Sequence, residues 1–195
     1  MRILVIDSCM RDKEISRTQI LLEKTLAQYQ ASFPDAEVET LTLSKEKLPP
    51  LTGADVEERQ CAVQAGRTEA YQLAKQFAQA DRIVIAAPYW DLAFPAVLKV
   101  YLEHICVAGI TFRYLDNGTP TGMCRAKSLL YLTSCGGYLQ DCNLGFAYVE
   151  ALCTHLFGIT DCRCIAAEGM DITPEQTQEG LKHALQEIVE LSFAE

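Results

Sequence analysis

The chain has 195 residues, of which 49% are hydrophobic and 22% charged, enough to bury one sizeable core but little more. Its formal net charge of -9 disfavours nucleic acid and anionic membrane surfaces as partners, because no basic block offsets the acidic residues locally. No apolar run approaches the roughly 18 residues of a membrane span, so we expect a soluble, cytoplasmic single domain over residues 1–195.

Five short apolar runs alternate with helical segments along the chain, a rhythm typical of βαβ units. The first, third and fourth runs are nearly continuous in Val, Ile and Leu, as in parallel strands covered on both faces. The pattern predicts an α/β fold with a doubly wound, mostly parallel five-stranded sheet and helices on both faces. The predicted strands are residues 3–6, 38–43, 83–87, 129–133 and 162–166.

The first and last helices have clear start signals. Ser16 with Gln19 forms a capping-box pattern, and a stripe of apolar residues at helical spacing follows it. Thr173 with Gln176 repeats this pattern before the final helix. The two apolar stripes consist of Leu22, Leu26 and Tyr29, and of Leu181, Leu185 and Ile188.

Proline and glycine mark the boundaries in the middle of the chain. Residues 49–53 predict an irregular loop that leads through a polar segment into a helix near 67–78. Pro95 suits the first position of a further helix, and Gly109 is expected to end it.

The nine cysteines indicate a reducing compartment. Their number is odd, and several lie inside apolar runs, where they behave as small hydrophobic residues. No CxxC pair is present, so the spacing predicts neither a metal site nor an iron–sulfur cluster.

In open α/β sheets, ligands bind beyond the carboxyl ends of the strands. The loop after the first strand, residues 7–18, has no glycine, which argues against a Walker loop or a GxGxxG turn. Its hydroxyl groups and one arginine could bind a monophosphate at the following helix N-terminus. These residues are Ser8, Ser16, Arg17 and Thr18. The alternative, that Ser16 only caps the helix and the other hydroxyls are solvated, is equally consistent with this loop alone.

The loop after the third predicted strand contains two aromatic residues. Aromatic side chains at a strand's carboxyl end can form a wall for a planar ligand, or they can pack beneath a neighbouring loop. The segment comprises Pro88, Tyr89, Trp90, Asp91 and Leu92.

The loop after the fourth predicted strand contains a pair of glycines. Paired glycines allow the backbone to approach a flat ligand closely, although an ordinary glycine turn has the same sequence. The segment comprises Thr133, Ser134, Cys135, Gly136, Gly137 and Tyr138.

These loops resemble, in the same order, those of the FMN-dependent NADH-azoreductase family and of the NAD(P)H:quinone oxidoreductases, which have a flavodoxin-like fold. The most specific stretches are AAPYWDLAFPAVLKVYLEHICVAGITFRYLDNG and SLLYLTSCGGY. The resemblance implies that Ser8 or Cys9, with Ser16, Arg17 and Thr18, surrounds an FMN phosphate. It also implies that residues 88–92 and 133–138 contact the flavin.

Two residues depart from the family pattern. Asp91 stands where asparagine is usual; an ionised carboxylate there would disfavour an anionic reduced flavin unless it faces solvent or meets a cation. Cys135 stands where arginine is common, and it is either a redox-sensitive thiol or, as we expect, a neutral packing residue.

The resemblance implies a two-step reaction in which NADH or NADPH reduces the flavin and leaves before a quinone, azo or nitroaromatic acceptor is reduced. It also implies a homodimer whose active sites lie at the interface, with residues 110–114 as a candidate wall. The flavin carries the chemistry, so no side chain is assigned as an essential acid or base. The alternatives are a flavodoxin-like electron carrier and a flavin-based redox sensor.

Overall fold

The computed structural model describes residues 1–12 and 14–191 and contains seven strands within them. Five form one parallel sheet in the order β2-β1-β3-β6-β7, the flavodoxin-like order, and β4 and β5 form an antiparallel pair. The predicted flavodoxin-like α/β fold is therefore confirmed. The strands are β1 (Arg2–Asp7), β2 (Glu37–Thr42), β3 (Arg82–Ala86), β4 (Phe112–Tyr114), β5 (Pro120–Gly122), β6 (Ser128–Ser134) and β7 (Asp161–Ala167).

Helices cover both faces of the sheet, and each face has its own hydrophobic core. One core contains Phe77, Tyr101 and Phe157, and the other contains Leu21 and Ile188, all fully buried. Side chains of β1, β3 and β6 alternate between these cores, which explains the nearly continuous apolar runs. The helices are α1 (Arg17–Ser32), α2 (Gly53–Gln64), α3 (Gln72–Gln79), α4 (Ala96–Ile105), α5 (Leu144–Leu152) and α6 (Pro174–Glu190), with a 3-10 turn at Leu43–Lys45 and a π-helical turn at Cys153–Phe157.

The prediction for residues 49–78 is wrong in part. Residue 53 does not belong to an irregular loop but begins α2, and the predicted helix at 67–78 begins only at Gln72. The Thr52 hydroxyl accepts the Asp55 N–H, and the Asp55 carboxylate accepts the Thr52 N–H at 2.7 Å. This reciprocal cap stabilises the start of α2, a helix that buries only Ala62. Because α2 has almost no apolar periodicity, the sequence pattern did not predict it.

The expected end of the helix after Pro95 is also wrong. Pro95 is the residue before α4, and the helix ends at Ile105, four residues before Gly109. The Thr111 hydroxyl donates to the Ile105 carbonyl at 2.7 Å and accepts the Val107 N–H at 3.2 Å. The Thr111 side chain, which lies outside the helix, thus caps its last turn, and the helix ends before it reaches Gly109.

Each of the two predicted capping boxes forms only one of its two reciprocal hydrogen bonds. The Ser16 hydroxyl accepts the Gln19 N–H at 3.4 Å, but the Gln19 amide donates to Asp7 Oδ2 at 2.7 Å instead of reaching back to Ser16. Thr173 likewise accepts the Gln176 N–H at 3.2 Å, while the Gln176 amide donates to a different side chain. Within the described ranges, no helix combines the length and apolarity of a membrane span.

Candidate functional site

A cleft opens at the carboxyl end of the sheet, where the strand order reverses around β1 and β3. Its volume is about 90 Å³, and the loops after β1, β3 and β6 supply most of its walls. The structure thus brings parts of all three predicted loops together. The predicted residues that line the cleft are Ser16, Arg17, Thr18, Pro88, Tyr89, Trp90, Ser134, Cys135 and Gly136.

One end of the cleft is formed by the N-terminus of α1. Ser16 caps this 16-residue helix, and Arg17 is its first residue. The Arg17 guanidinium donates from Nη1 to Asp171 Oδ1 at 3.0 Å, and the Thr18 and Ser134 hydroxyls share a hydrogen bond of 2.7 Å. First-turn N–H groups and the helix dipole favour an anion at this end.

Ser8 and Cys9 lie beneath this loop and do not line the cleft. Ser8 is fully buried, and its hydroxyl donates to the Ala86 carbonyl at 3.0 Å. The Cys9 N–H donates to Asp7 Oδ1 at 3.0 Å, and burial together with the Asp7 charge raises the pKa of the Cys9 thiol to about 12. Both residues therefore tie the loop to the end of the sheet.

The loop after β3 makes a two-residue turn that carries backbone strain. Trp90 and Ala93 exchange backbone hydrogen bonds of 3.3 and 2.8 Å, and Asp91 and Leu92 between them have φ values of 50° and 69°. Left-handed backbone at two successive non-glycine residues is unfavourable and concentrates at functional sites. The turn leaves the Trp90 ring 43% exposed at the cleft, while Asp91 and Leu92 lie outside its lining.

Two hydrogen bonds attach this strained loop to the segment before α5. The Tyr89 hydroxyl donates to the Cys142 carbonyl at 2.8 Å, and the Leu144 N–H donates to the Leu92 carbonyl at 3.2 Å. The Tyr89 ring and the turn beside Trp90 are therefore held by a neighbouring loop.

The segment after β6 is divided between the cleft and its surroundings. Cys135 lines the cleft; its thiol donates to the Gly137 carbonyl at 3.0 Å, and burial, followed by the Glu168 charge, raises its pKa to about 11. Thr133 is fully buried, and its hydroxyl lacks a hydrogen-bond partner within the described part of the chain. Tyr138 lies outside the cleft and accepts a hydrogen bond from Gln176.

A fourth loop, after β7, also lines the cleft and was not predicted. Backbone hydrogen bonds join it to the loop after β6, from Met170 N–H to the Cys135 carbonyl (3.0 Å) and from Asp171 N–H to the Gly136 carbonyl (2.9 Å). The sequence did offer a signal for this loop, because it follows the fifth predicted parallel strand, whose carboxyl end reaches the same edge of the sheet. The lining residues missed from sequence are Met10, Arg11, Ile15, Met170 and Asp171.

A larger cavity of about 940 Å³ lies between α6 and the open edge of β7. Its walls include Tyr138, Glu168, Glu179 and Glu187, and α6 supplies most of them. The smaller cleft is the better candidate site, because the loop after β1 brings a helix N-terminus and two arginines to it and the loop after β3 brings an exposed tryptophan.

Comparison with known proteins gives one consistent result. A family described as "Flavodoxin-like fold" matches residues 1–191. The FMN-dependent NADH:quinone oxidoreductase 2 of Clostridium acetobutylicum is 33% identical, over 97% of this chain and 96% of that protein. The FMN-dependent NADH:quinone oxidoreductase of Caldicellulosiruptor bescii is 31% identical, over 98% of each.

Among solved structures, the azoreductase from Bacillus anthracis str. Sterne is similar over nearly the whole chain. It superposes with a TM-score of 0.86 at 27% identity, covering 97% of each chain. The similarity thus extends across all four cleft loops.

Proposed function

The chain belongs to the flavodoxin-like fold family, and on that premise we propose that it is an FMN-dependent NAD(P)H oxidoreductase that reduces quinones and azo or nitroaromatic compounds. The observation that carries the proposal is the convergence of an anion-binding helix end and an exposed tryptophan on one cleft. We further propose that residues 1–195 form one domain and act in the cytoplasm, where nine free thiols would stay reduced.

The residues of the cleft fit the two chemical ends of FMN. The α1 N-terminus, with Arg17 and Arg11, offers N–H groups and positive charge to a phosphate. Pro88, Trp90 and Met10 offer an apolar wall to a planar ring. A cleft of about 90 Å³ is smaller than the 300–1,000 Å³ typical of ligand pockets, so part of the ring would remain uncovered.

FMN, when bound, supplies the redox chemistry by taking up reducing equivalents from NADH or NADPH and releasing them to the acceptor. The protein's part is to bind the phosphate through α1 and to position the ring against Trp90. The Tyr89 hydroxyl already donates a hydrogen bond to the Cys142 carbonyl, so we assign Tyr89 a structural role. No cleft side chain is needed as an acid or base in this proposal.

We also propose that a second copy of the chain covers the exposed ring and narrows the access of acceptors. Large apolar side chains surround the cleft although water reaches them. An exposed apolar surface beside a binding site is typical of a protein interface. The exposed apolar residues are Met10, Ile15, Trp90, Leu92 and Leu144.

The proposed function is tested by adding FMN to the flavin-free protein and titrating the complex with NADH without oxygen, while the absorbance of the oxidised flavin is followed. We expect stoichiometric bleaching that a quinone reverses. A Trp90→Ala variant should bind FMN more weakly, whereas Trp90→Phe should retain most of the affinity because an aromatic ring remains. Failure of the wild-type protein to bind FMN would contradict the proposal.

The same titration separates the reductase from the electron carrier and the redox sensor. An electron carrier would bind FMN but leave it oxidised in the presence of NADH and NADPH. A sensor would be reduced but would turn over slowly with every acceptor tried. The exposed Trp90 and the strained turn beside it favour the reductase, because they form an open face that a planar acceptor can reach.

A further inference from the structure

A carboxylate from the loop after β7 lies beside the N-terminus of α1, where an anion site does not require one. Asp171 Oδ1 accepts a hydrogen bond of 3.0 Å from Arg17 Nη1, and both residues line the cleft. The Asp171 side chain is 67% exposed and the Arg17 side chain 33%, so both can reach a ligand. A full negative charge therefore lies beside the positive end of the helix.

The position of Asp171 is fixed by contact with the loop after β6. Its N–H donates to the Gly136 carbonyl at 2.9 Å, and a Cβ on Gly136 would lie 2.6 Å from Asp171 Oδ2. Glycine at position 136 thus leaves room for the carboxylate, which holds Arg17 against the loops after β6 and β7. The ion pair is built into the cleft from three separate segments.

We propose that Asp171 is a specificity-determining residue of the flavin site, which by pairing with Arg17 lowers the preference for a phosphorylated flavin over an uncharged one. This inference rests on the proposed FMN site. Asp171 neutralises the nearest guanidinium and repels a phosphate, which carries close to two negative charges at neutral pH. Arg11, the α1 N-terminus and the remaining N–H groups of Arg17 still attract the phosphate.

The test compares the dissociation constants of FMN and riboflavin, which differ only in the phosphate, for flavin-free wild-type protein and Asp171→Asn. Removing one charge within a few ångströms of the phosphate should tighten FMN binding roughly five- to tenfold at low salt. Riboflavin affinity should change less than about twofold, and high salt should reduce the gain for FMN.

Asp161→Asn is the matched control. Asp161 also accepts a 3.0 Å hydrogen bond from an arginine, Arg163, but it lies at the opposite end of β7. β7 is seven residues long and keeps Asp161 roughly 20 Å from the cleft, so the Asp161 charge acts on a bound phosphate several times more weakly than the Asp171 charge does. FMN affinity should therefore be unchanged in this variant.

Weaker FMN binding in Asp171→Asn would overturn the inference, because it would show that Asp171 positions Arg17 for phosphate binding. An equal change in affinity for FMN and riboflavin, or no change for either, would also overturn it. Wild-type protein that binds neither flavin would instead contradict the proposed function. The two failures are thus distinguishable in one set of titrations.

Discussion

Cys135 is the cleft residue for which the sequence left two roles open. Its thiol is buried and donates to the Gly137 carbonyl, and its pKa is raised to about 11, first by burial and then by the Glu168 charge. A raised pKa removes the thiolate that oxidation and alkylation require. These observations favour the packing role over the redox-sensitive thiol.

We expect Cys135 to resist alkylation at pH 8, three units below its pKa, where about one thiol in a thousand is ionised. The neutral form dominates below pH 11, so reactivity should rise about tenfold per pH unit toward that value. Iodoacetamide labelling followed by peptide mass spectrometry measures this, with the exposed Cys61 as internal control. Labelling of Cys135 as fast as Cys61 at pH 8 would show a reactive thiol instead.

Asp91 is the second residue whose effect the sequence left open, because its influence depends on where the carboxylate points. It lies at the tip of the turn, exposed and outside the cleft lining. We expect Asp91→Asn to shift the two-electron potential of bound FMN by less than about 15 mV, since solvent screens an exposed charge. Dye-equilibrated reduction titrations measure the potential; a rise of about 30 mV or more would place the carboxylate close to the flavin ring.

At the scale of elements, the turn after β3 positions Trp90 at the expense of backbone strain. Leu92 has φ of 69° and is 51% exposed, so its side chain gains little from burial. Leu92→Gly should raise the free energy of unfolding by up to about 1 kcal/mol, because glycine adopts this conformation freely. Urea unfolding followed by fluorescence measures the change.

Leu115→Gly is the control for that substitution. Leu115 is similarly exposed at 43% in the turn between β4 and β5, but its φ is not positive. Glycine there should lower the free energy of unfolding by about 0.5–1 kcal/mol, because it only adds freedom to the unfolded chain. A loss of stability in both variants would mean that Leu92 contributes by packing against a neighbour.

Prediction of the elements succeeded where burial dominates. All five predicted strands are present, and β1, β3 and β6 gave the clearest signal because parallel strands covered on both faces require continuous apolar runs. The edge strand β2 is largely exposed, and its apolar run is correspondingly weaker. Helix α2 was missed because hydrogen bonds between Thr52 and Asp55 hold it with little burial, although the T-x-x-D spacing was available as a signal. The end of α4 was misplaced because Thr111, from outside the helix, caps it.

At the scale of the whole molecule, we expect a homodimer with a mass twice that of the 21.7 kDa chain, measured by light scattering. Leu144→Asp should shift the equilibrium toward monomer, because a charge would replace an exposed apolar side chain beside the cleft. Val189→Asp is the matched control on α6, where a 43% exposed valine lies away from the cleft. A monomeric wild-type protein at micromolar concentration would contradict the proposed interface.

The sequence by itself determined the fold class and the three loops to search, because apolar periodicity sets the strands and parallel strands bring their carboxyl ends to one edge. It did not separate Ser8 and Cys9, which are buried under the loop, from Arg17, which faces the cleft. Only the tertiary structure brought Asp171 from the fourth loop to Arg17, 154 residues away in the chain. Contacts between loops depend on how distant segments pack, and local residue patterns do not determine that packing.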